Sequence, residues 1–130
     1  TFEDWLNIRK KYRTFFVDLD GVVFLNKGKY GKKNWNTKNQ TIENNVNLLL
    51  ELSKDRTQIV FTSSRPEKNK KKIEKELKKL GFKNFKLVLG LNHTQRIIVN
   101  DYSDSNPNPS AISINMERDA SNLSALVKSI

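Results

Sequence analysis

Hydrophobic residues in this chain follow two patterns. Short, nearly continuous runs of β-prone residues are bounded by polar residues, which is typical of buried strands. Between these runs, apolar residues recur every three or four positions, which is typical of helices that bury one face. The five predicted strands are Thr14–Leu19, Thr57–Phe61, Phe85–Gly90, Arg96–Asp101 and Ala111–Asn115.

Four helices are predicted, and two of them have clear end signals. Thr41 can cap the helix that runs to about Lys54. Pro66 suits the first turn of the next helix, and Gly81 lies just past its last apolar position. Because strands and helices alternate, we expect one α/β domain with a Rossmann-like, mainly parallel five-stranded sheet flanked by helices. The domain spans residues 1–130, and its helices cover residues 2–12, about 42–54, 67–80 and 120–130.

Composition narrows the classes of protein to consider. The chain has no cysteine, which excludes disulfides, thiolate metal sites and thiol nucleophiles. No apolar run approaches the ~20 residues that a membrane span needs, and the first residues lack the apolar core of a signal peptide. We therefore expect a cytoplasmic protein without a membrane span, in which any catalysis uses oxygen and nitrogen groups.

The chain is strongly basic, with 24 Lys and Arg against 14 Asp and Glu and a formal charge of +10. This balance favours anionic partners such as phosphorylated metabolites or nucleic acid. Part of the excess lies in the lysine-rich segment 67–79, where the solvated face of a helix is the preferred explanation. Segment 25–40 is a predicted basic flap that carries Tyr30 and Trp35. It either contacts a sugar ring and phosphates or is a solvated loop.

Two carboxylates end the first predicted strand. Asp18 and Asp20 are two residues apart, so both could project into one crevice, and Gly21 lets the chain turn there. Close carboxylates repel each other, and Mg²⁺ would remove that repulsion. Asp101 ends the fourth predicted strand and reaches the same edge if the strands are parallel. We therefore predict a magnesium site on Asp18, Asp20 and Asp101, while Asp104 either holds a metal-bound water or serves a turn.

The second predicted strand ends in hydroxyl side chains beside a helix start, a position that favours phosphate. Ser63 is the first choice for the phosphate contact and Thr62 the second, and a capping role is the alternative for both. A fixed cation is also needed. Arg96 lies at the wrong end of its predicted strand unless the preceding connection folds back over the site. Lys70 and Lys72 are alternatives that are more typical of surface positions, and His93 is more typical of an exposed loop than of a catalyst.

Three segments together resemble the haloacid dehalogenase-like (HAD) phosphatase superfamily: "DLDGV", "FTSSR" and "VNDYSD". This resemblance implies that Asp18 is a nucleophile that forms an aspartyl-phosphate, and that Asp20 is the general acid and base. It also implies that Asp18, the Asp20 carbonyl and Asp101 hold Mg²⁺, and that Ser63 binds a phosphoryl oxygen. The lysine of the family has no obvious counterpart, and Arg96 is the replacement offered by this sequence.

The resemblance also bears on the substrate. No segment is long enough for a cap domain, so either a large substrate or a neighbouring subunit of a homo-oligomer covers the site. Segment 99–119 is similar to small phosphatase-like domains encoded with bacterial surface-polysaccharide genes, which implies a phosphorylated sugar or polysaccharide precursor. Two alternatives stay open. One is a polynucleotide end phosphatase, with steep salt dependence, and the other is a catalytically idle phosphate- or sugar-binding module of a larger biosynthetic protein.

Overall fold

The centre of the molecule is a parallel sheet of three strands. These strands are β1 (Thr14–Asp18), β2 (Gln58–Thr62) and β3 (Phe85–Val88), in the order β1-β2-β3. Asp18 lies opposite Thr62, so the ends of β1 and β2 meet at one edge, as expected for parallel strands. The structure is a computed structural model that describes residues 1, 3–4, 12–26, 38–104 and 110–130.

Three helices share one hydrophobic core with the sheet. They are α1 (Glu43–Lys54), α2 (Lys70–Leu80) and α3 (Leu123–Lys128), and a 3₁₀ turn, Glu67–Asn69, precedes α2. The end of α2 at Gly81 confirms the predicted stop signal. None of the helices within the described ranges is long and apolar enough to cross a membrane. The helix residues in the core are Val46, Leu49, Ile73, Leu77, Leu123 and Val127.

Side chains alternate across the sheet. Val17, Phe61 and Leu87 are buried in the core with the helices. On the other face, Phe16 is 61% exposed and Val88 is 40% exposed. The first predicted strand is therefore buried on one face only. Within the described part of the chain, the sheet and its helices form two layers.

The prediction of five strands is wrong for the described residues. Segments 96–101 and 111–115 lie outside the sheet, and Val99 is 88% exposed. A strand forms only where a neighbouring ladder takes up its backbone groups. After β3 the chain instead stays tied to the loop after β2, since Gly90 N–H donates to the Arg65 carbonyl and Leu91 N–H to the Ser63 carbonyl. The chain thus turns across the carboxyl edge of the sheet.

A buried asparagine in α1 joins three parts of the fold. The Asn45 Nδ2 group donates to the Val22 and Ala120 carbonyls at 2.9 and 2.8 Å. Its Oδ1 accepts the Leu123 N–H at the start of α3, at 3.3 Å. Asn45 therefore fixes the turn after β1 against the C-terminal helix.

The predicted cap of α1 is wrong. The helix begins after Ile42, and no side chain caps it. Thr41 instead forms an antiparallel bridge with Phe24, next to the turn that follows β1. Most of the predicted N-terminal helix and most of the basic flap, residues 5–11 and 27–37, lie outside the described residues.

Candidate functional site

A pocket of about 320 Å³ lies at the carboxyl edge of the sheet. It is formed by the turn after β1, the loops that follow β2 and β3, and the segment before α3. This is the edge where parallel α/β sheets bind their ligands. Among the described residues, the charged and polar side chains that line the pocket are Asp18, Asp20, Asn26, Ser64, His93, Thr94, Arg96 and Arg118.

The turn after β1 depends on a glycine. Gly21 has a φ of +94°, a backbone conformation that favours glycine. A Cβ atom there would lie 3.2 Å from Cγ of Arg118, and the Asp119 N–H donates to the Gly21 carbonyl at 2.8 Å. The absence of a side chain at Gly21 therefore lets the segment before α3 approach the turn and carry Arg118 to the pocket.

Asp18 faces the pocket from the end of β1. The side chain keeps access to solvent, but the surrounding protein displaces part of its water, and this partial burial raises the pKa of Asp18 above its ordinary value of 3.8. The nearby Asp20 carboxylate acts in the same direction. Arg96 and His93 oppose the rise, since positive charge favours the ionised form of Asp18. Asp18 is thus a carboxylate within electrostatic reach of a fixed cation.

Asp20 is held by a buried arginine. Nη2 and Nε of Arg65 donate to the two oxygens of Asp20 at 2.6 and 3.0 Å, and the Ser63 hydroxyl lies 3.4 Å from the second oxygen. The Arg65 side chain is 1% exposed, donates to Asn39 at 2.8 Å and lies over the Phe24 ring. To act as the predicted acid and base, Asp20 would have to turn away from Arg65, and that role stays a prediction.

The hydroxyl groups after β2 differ in what they face. The Ser63 hydroxyl is buried and accepts the Arg65 N–H at 3.0 Å, while Thr62 lies near the Val17 carbonyl at 3.5 Å. Ser64 is the hydroxyl residue of this loop that lines the pocket. The phosphate role of Ser63 stays a prediction, and Ser64 is a further candidate that the strand-end pattern did not single out.

The connection after β3 does fold back over the site. Arg96 therefore reaches the pocket, where its Nη1 donates to the Thr94 carbonyl at 2.7 Å, and His93 lies beside it. Arg118 could not be predicted, because nothing in its local sequence indicates that its segment packs against Gly21. The pocket thus contains two arginines from segments far apart in the chain.

The described residues do not fit the predicted three-carboxylate magnesium site. Asp18 and Asp20 line the pocket, whereas Asp101 and Asp104 are exposed and lie outside its lining. The described ranges hold no group of three Asp, Glu or His side chains that could bind a metal ion. The two carboxylate oxygens of Asp20 are also engaged by Arg65. Magnesium dependence stays a prediction for measurement in solution.

Comparisons with known proteins do not assign the chain to a family. No family model matches it, and neither a curated protein nor a solved structure matches it. The likeness to HAD phosphatases therefore rests on the three sequence motifs alone. A function for the pocket has to be inferred from the side chains around Asp18.

Proposed function

We propose that this protein is a phosphomonoester hydrolase of HAD type that uses Asp18 as its nucleophile. The observation that carries the proposal is the Asp18 carboxylate at a pocket lined by Arg96 and Arg118. A carboxylate oxygen of Asp18 attacks phosphorus, the bond from phosphorus to the ester oxygen breaks, and an aspartyl-phosphate forms. Water then attacks phosphorus, which releases inorganic phosphate and restores the Asp18 carboxylate.

Positive charge at the pocket is what allows an anionic nucleophile to meet an anionic substrate. A guanidinium group matches the oxygens of a phosphoryl group in geometry and in charge. Arg96 and Arg118 would bind these oxygens and stabilise the charge that develops in the transition state. Ser64 would add a hydrogen bond from its hydroxyl.

Two groups could protonate the leaving oxygen. The family resemblance assigns this role to Asp20, and the pocket offers His93 as a second candidate. An aryl phosphate needs little help from an acid, whereas an alkyl phosphate needs it strongly. We expect the variant that lacks the true acid, Asp20→Asn or His93→Gln, to lose far more activity towards the alkyl phosphate than towards the aryl phosphate.

The experiment that tests the proposal measures phosphate release from para-nitrophenyl phosphate and from a panel of sugar phosphates, with magnesium or with EDTA. Asp18→Asn should abolish release, while the matched control Asp55→Asn, an exposed aspartate outside the pocket, should not change it. Rapid quenching followed by mass spectrometry should find one phosphoryl group on the protein that retains Asp18. Equal activity of Asp18→Asn and the unmodified protein would refute the proposal.

The proposed substrate is a phosphorylated sugar or polysaccharide precursor, and a polynucleotide end is the alternative that the charge of +10 favours. A 3′-phosphorylated oligonucleotide in the same panel separates the two. If the oligonucleotide is the better substrate, kcat/KM should fall steeply as salt is raised, because neutralised phosphates release counterions. A sugar phosphate should show a much weaker salt dependence.

A binding module without catalysis is the second candidate. It is favoured by the engagement of Asp20 with Arg65 and by the position of Asp101 outside the pocket. In that case inorganic phosphate should bind, as measured by calorimetry, and the binding should weaken in Arg96→Gln. No member of the panel should then be hydrolysed with or without magnesium.

A further inference from the structure

One buried polar atom at the pocket has no partner. Asn26 lines the pocket with Asp18 and is 8% exposed. Its Oδ1 is buried and accepts no hydrogen bond within the part of the chain that the structure describes. Buried acceptors are nearly always satisfied in folded proteins, and leaving one without a donor carries a free-energy penalty. An exception beside a candidate nucleophile therefore needs a reason.

The backbone around this atom is well fixed. The Asn26 N–H donates to Oδ1 of Asp119 at 2.7 Å, and the Asp119 N–H donates to the Gly21 carbonyl. Asp119 itself has a φ of +64°, which is uncommon for a residue with a side chain. The backbone of Asn26 is thus held by the same segment that brings Arg118 to the pocket.

The chemistry of the pocket limits what could donate to Asn26. Asn26 and Asp18 line the same small pocket, so a substrate bound at Asp18 can bring a donor to Asn26. Arg96 and Arg118 already make that pocket cationic, which disfavours an ammonium group on the substrate. A neutral hydroxyl can donate without this repulsion.

We propose that Asn26 Oδ1 accepts a hydrogen bond from a substrate hydroxyl next to the phosphate ester, so that the pocket selects phosphates of polyhydroxy alcohols. This inference rests on the proposed phosphatase function. A site with a buried acceptor discriminates strongly against an analogue that lacks the donor, because the acceptor then stays unpaired in the complex.

The test compares glycerol 1-phosphate with n-propyl phosphate, which lacks both hydroxyls of the alcohol. We expect the unmodified protein to prefer glycerol 1-phosphate by about tenfold or more in kcat/KM. In Asn26→Leu this ratio should fall close to one through slower turnover of glycerol 1-phosphate, with n-propyl phosphate unchanged. A ratio near one in the unmodified protein would overturn the inference.

Urea unfolding separates the proposed role of Asn26 from a structural role, because a structural role would make Asn26→Leu less stable than the unmodified protein. Leucine has the branched shape and the number of side-chain heavy atoms of asparagine but no unpaired acceptor, so Asn26→Leu should match or exceed the unmodified protein in its urea midpoint. The matched control is Asn45→Leu, which removes three hydrogen bonds and should unfold at lower urea. Asn26→Ala is a second variant, which also removes the acceptor but needs no space for a leucine side chain. A loss in both Asn26 variants as large as that of Asn45→Leu would overturn the inference.

Failure of this inference can be told apart from failure of the proposed function. If para-nitrophenyl phosphate is hydrolysed through Asp18 but the two alkyl phosphates react alike, the phosphatase proposal stands and the role of Asn26 is wrong. If no phosphate ester is hydrolysed, the phosphatase proposal fails and the inference falls with it.

Discussion

Replacing Asp20 by alanine tests how the fold uses the second carboxylate of the "DLD" motif. The substitution removes both acceptors from Nε and Nη2 of Arg65, a side chain that is 1% exposed. Asn39 and the Phe24 ring remain in contact with the guanidinium, but neither carries negative charge. Asp20→Ala therefore leaves a buried cation without its counter-charge.

The expected effect follows from the burial of the two partners. Removing one partner of a buried pair typically destabilises a protein by about 3–5 kcal/mol. The Asp20 side chain is 15% exposed, so water can enter once the carboxylate is gone, and we expect the lower end of that range. A loss of about 3 kcal/mol in a domain of this size corresponds to a fall of about 10 °C in Tm. This is a large part of the about 5–15 kcal/mol that stabilises most domains.

The assay is urea unfolding at pH 7, followed by circular dichroism. Asp18→Ala is the matched control, since it removes the same side chain two positions away, where it is solvent accessible and forms no ion pair with any described residue. It should change the free energy of unfolding by less than about 1 kcal/mol. The double variant Asp20→Ala with Arg65→Met should recover part of the loss, because no buried charge remains. If Asp20→Ala is no more destabilising than Asp18→Ala, the ion pair does not support the fold.

Four further changes test other parts of the structure. Asn45→Leu leaves two carbonyls and one N–H group without their partner. We expect the free energy of unfolding in urea to fall by about 3 kcal/mol, and a fall below about 1 kcal/mol would contradict the three hydrogen bonds. Gly21→Ala places a Cβ 3.2 Å from Arg118 at a φ of +94°, so it should destabilise the fold by about 1–2 kcal/mol. It should also weaken the binding of inorganic phosphate measured by calorimetry, and unchanged binding would argue against the role of Arg118. Val99→Asp should change stability by less than about 0.5 kcal/mol because Val99 is 88% exposed, and a loss above about 2 kcal/mol would show that this segment is buried in solution. Because the pKa of Asp18 is raised in the folded state, the folded protein holds more protons than the unfolded protein once the pH exceeds 3.8. The ionisation of Asp18 in the folded state therefore lowers stability as the pH rises further. Asp18→Asn should therefore gain stability relative to the unmodified protein in urea unfolding as the pH is raised from 3.8, and a relative loss would contradict the direction of the shift.

The part of the fold that sequence predicts well is the part governed by local pattern. The three strands β1 to β3 are short apolar runs, and α2 ends at the glycine expected to stop it. Placing Asp18 at the pocket needs only the rule that parallel strands end at one edge. Arg96 reaches the pocket on the condition that its connection folds back, which the hydrogen bonds of Gly90 and Leu91 bring about.

The part that sequence does not predict depends on contacts between distant segments. Arg65 follows a strand like many surface arginines, and only its burial between Asp20 and Phe24 reveals its role. Arg118 reaches the pocket through contact with Gly21, almost one hundred positions earlier in the chain. Segment 96–101 has the composition of a strand, but composition cannot supply the neighbouring ladder that a strand requires.

The two aspartates of the "DLD" motif differ in environment, and this difference sets the charge of the pocket. Their spacing alone favours a cation shared by both carboxylates. In the structure Arg65 pairs with Asp20, so among the described residues the charged groups left at the pocket are the carboxylate of Asp18 and the two guanidinium groups of Arg96 and Arg118. An unpaired Asp20 would cancel this excess and repel an incoming phosphate. We therefore expect the pair of Arg65 and Asp20 to support the fold, and it leaves the pocket with the positive charge that the proposed phosphate substrate needs in order to approach Asp18.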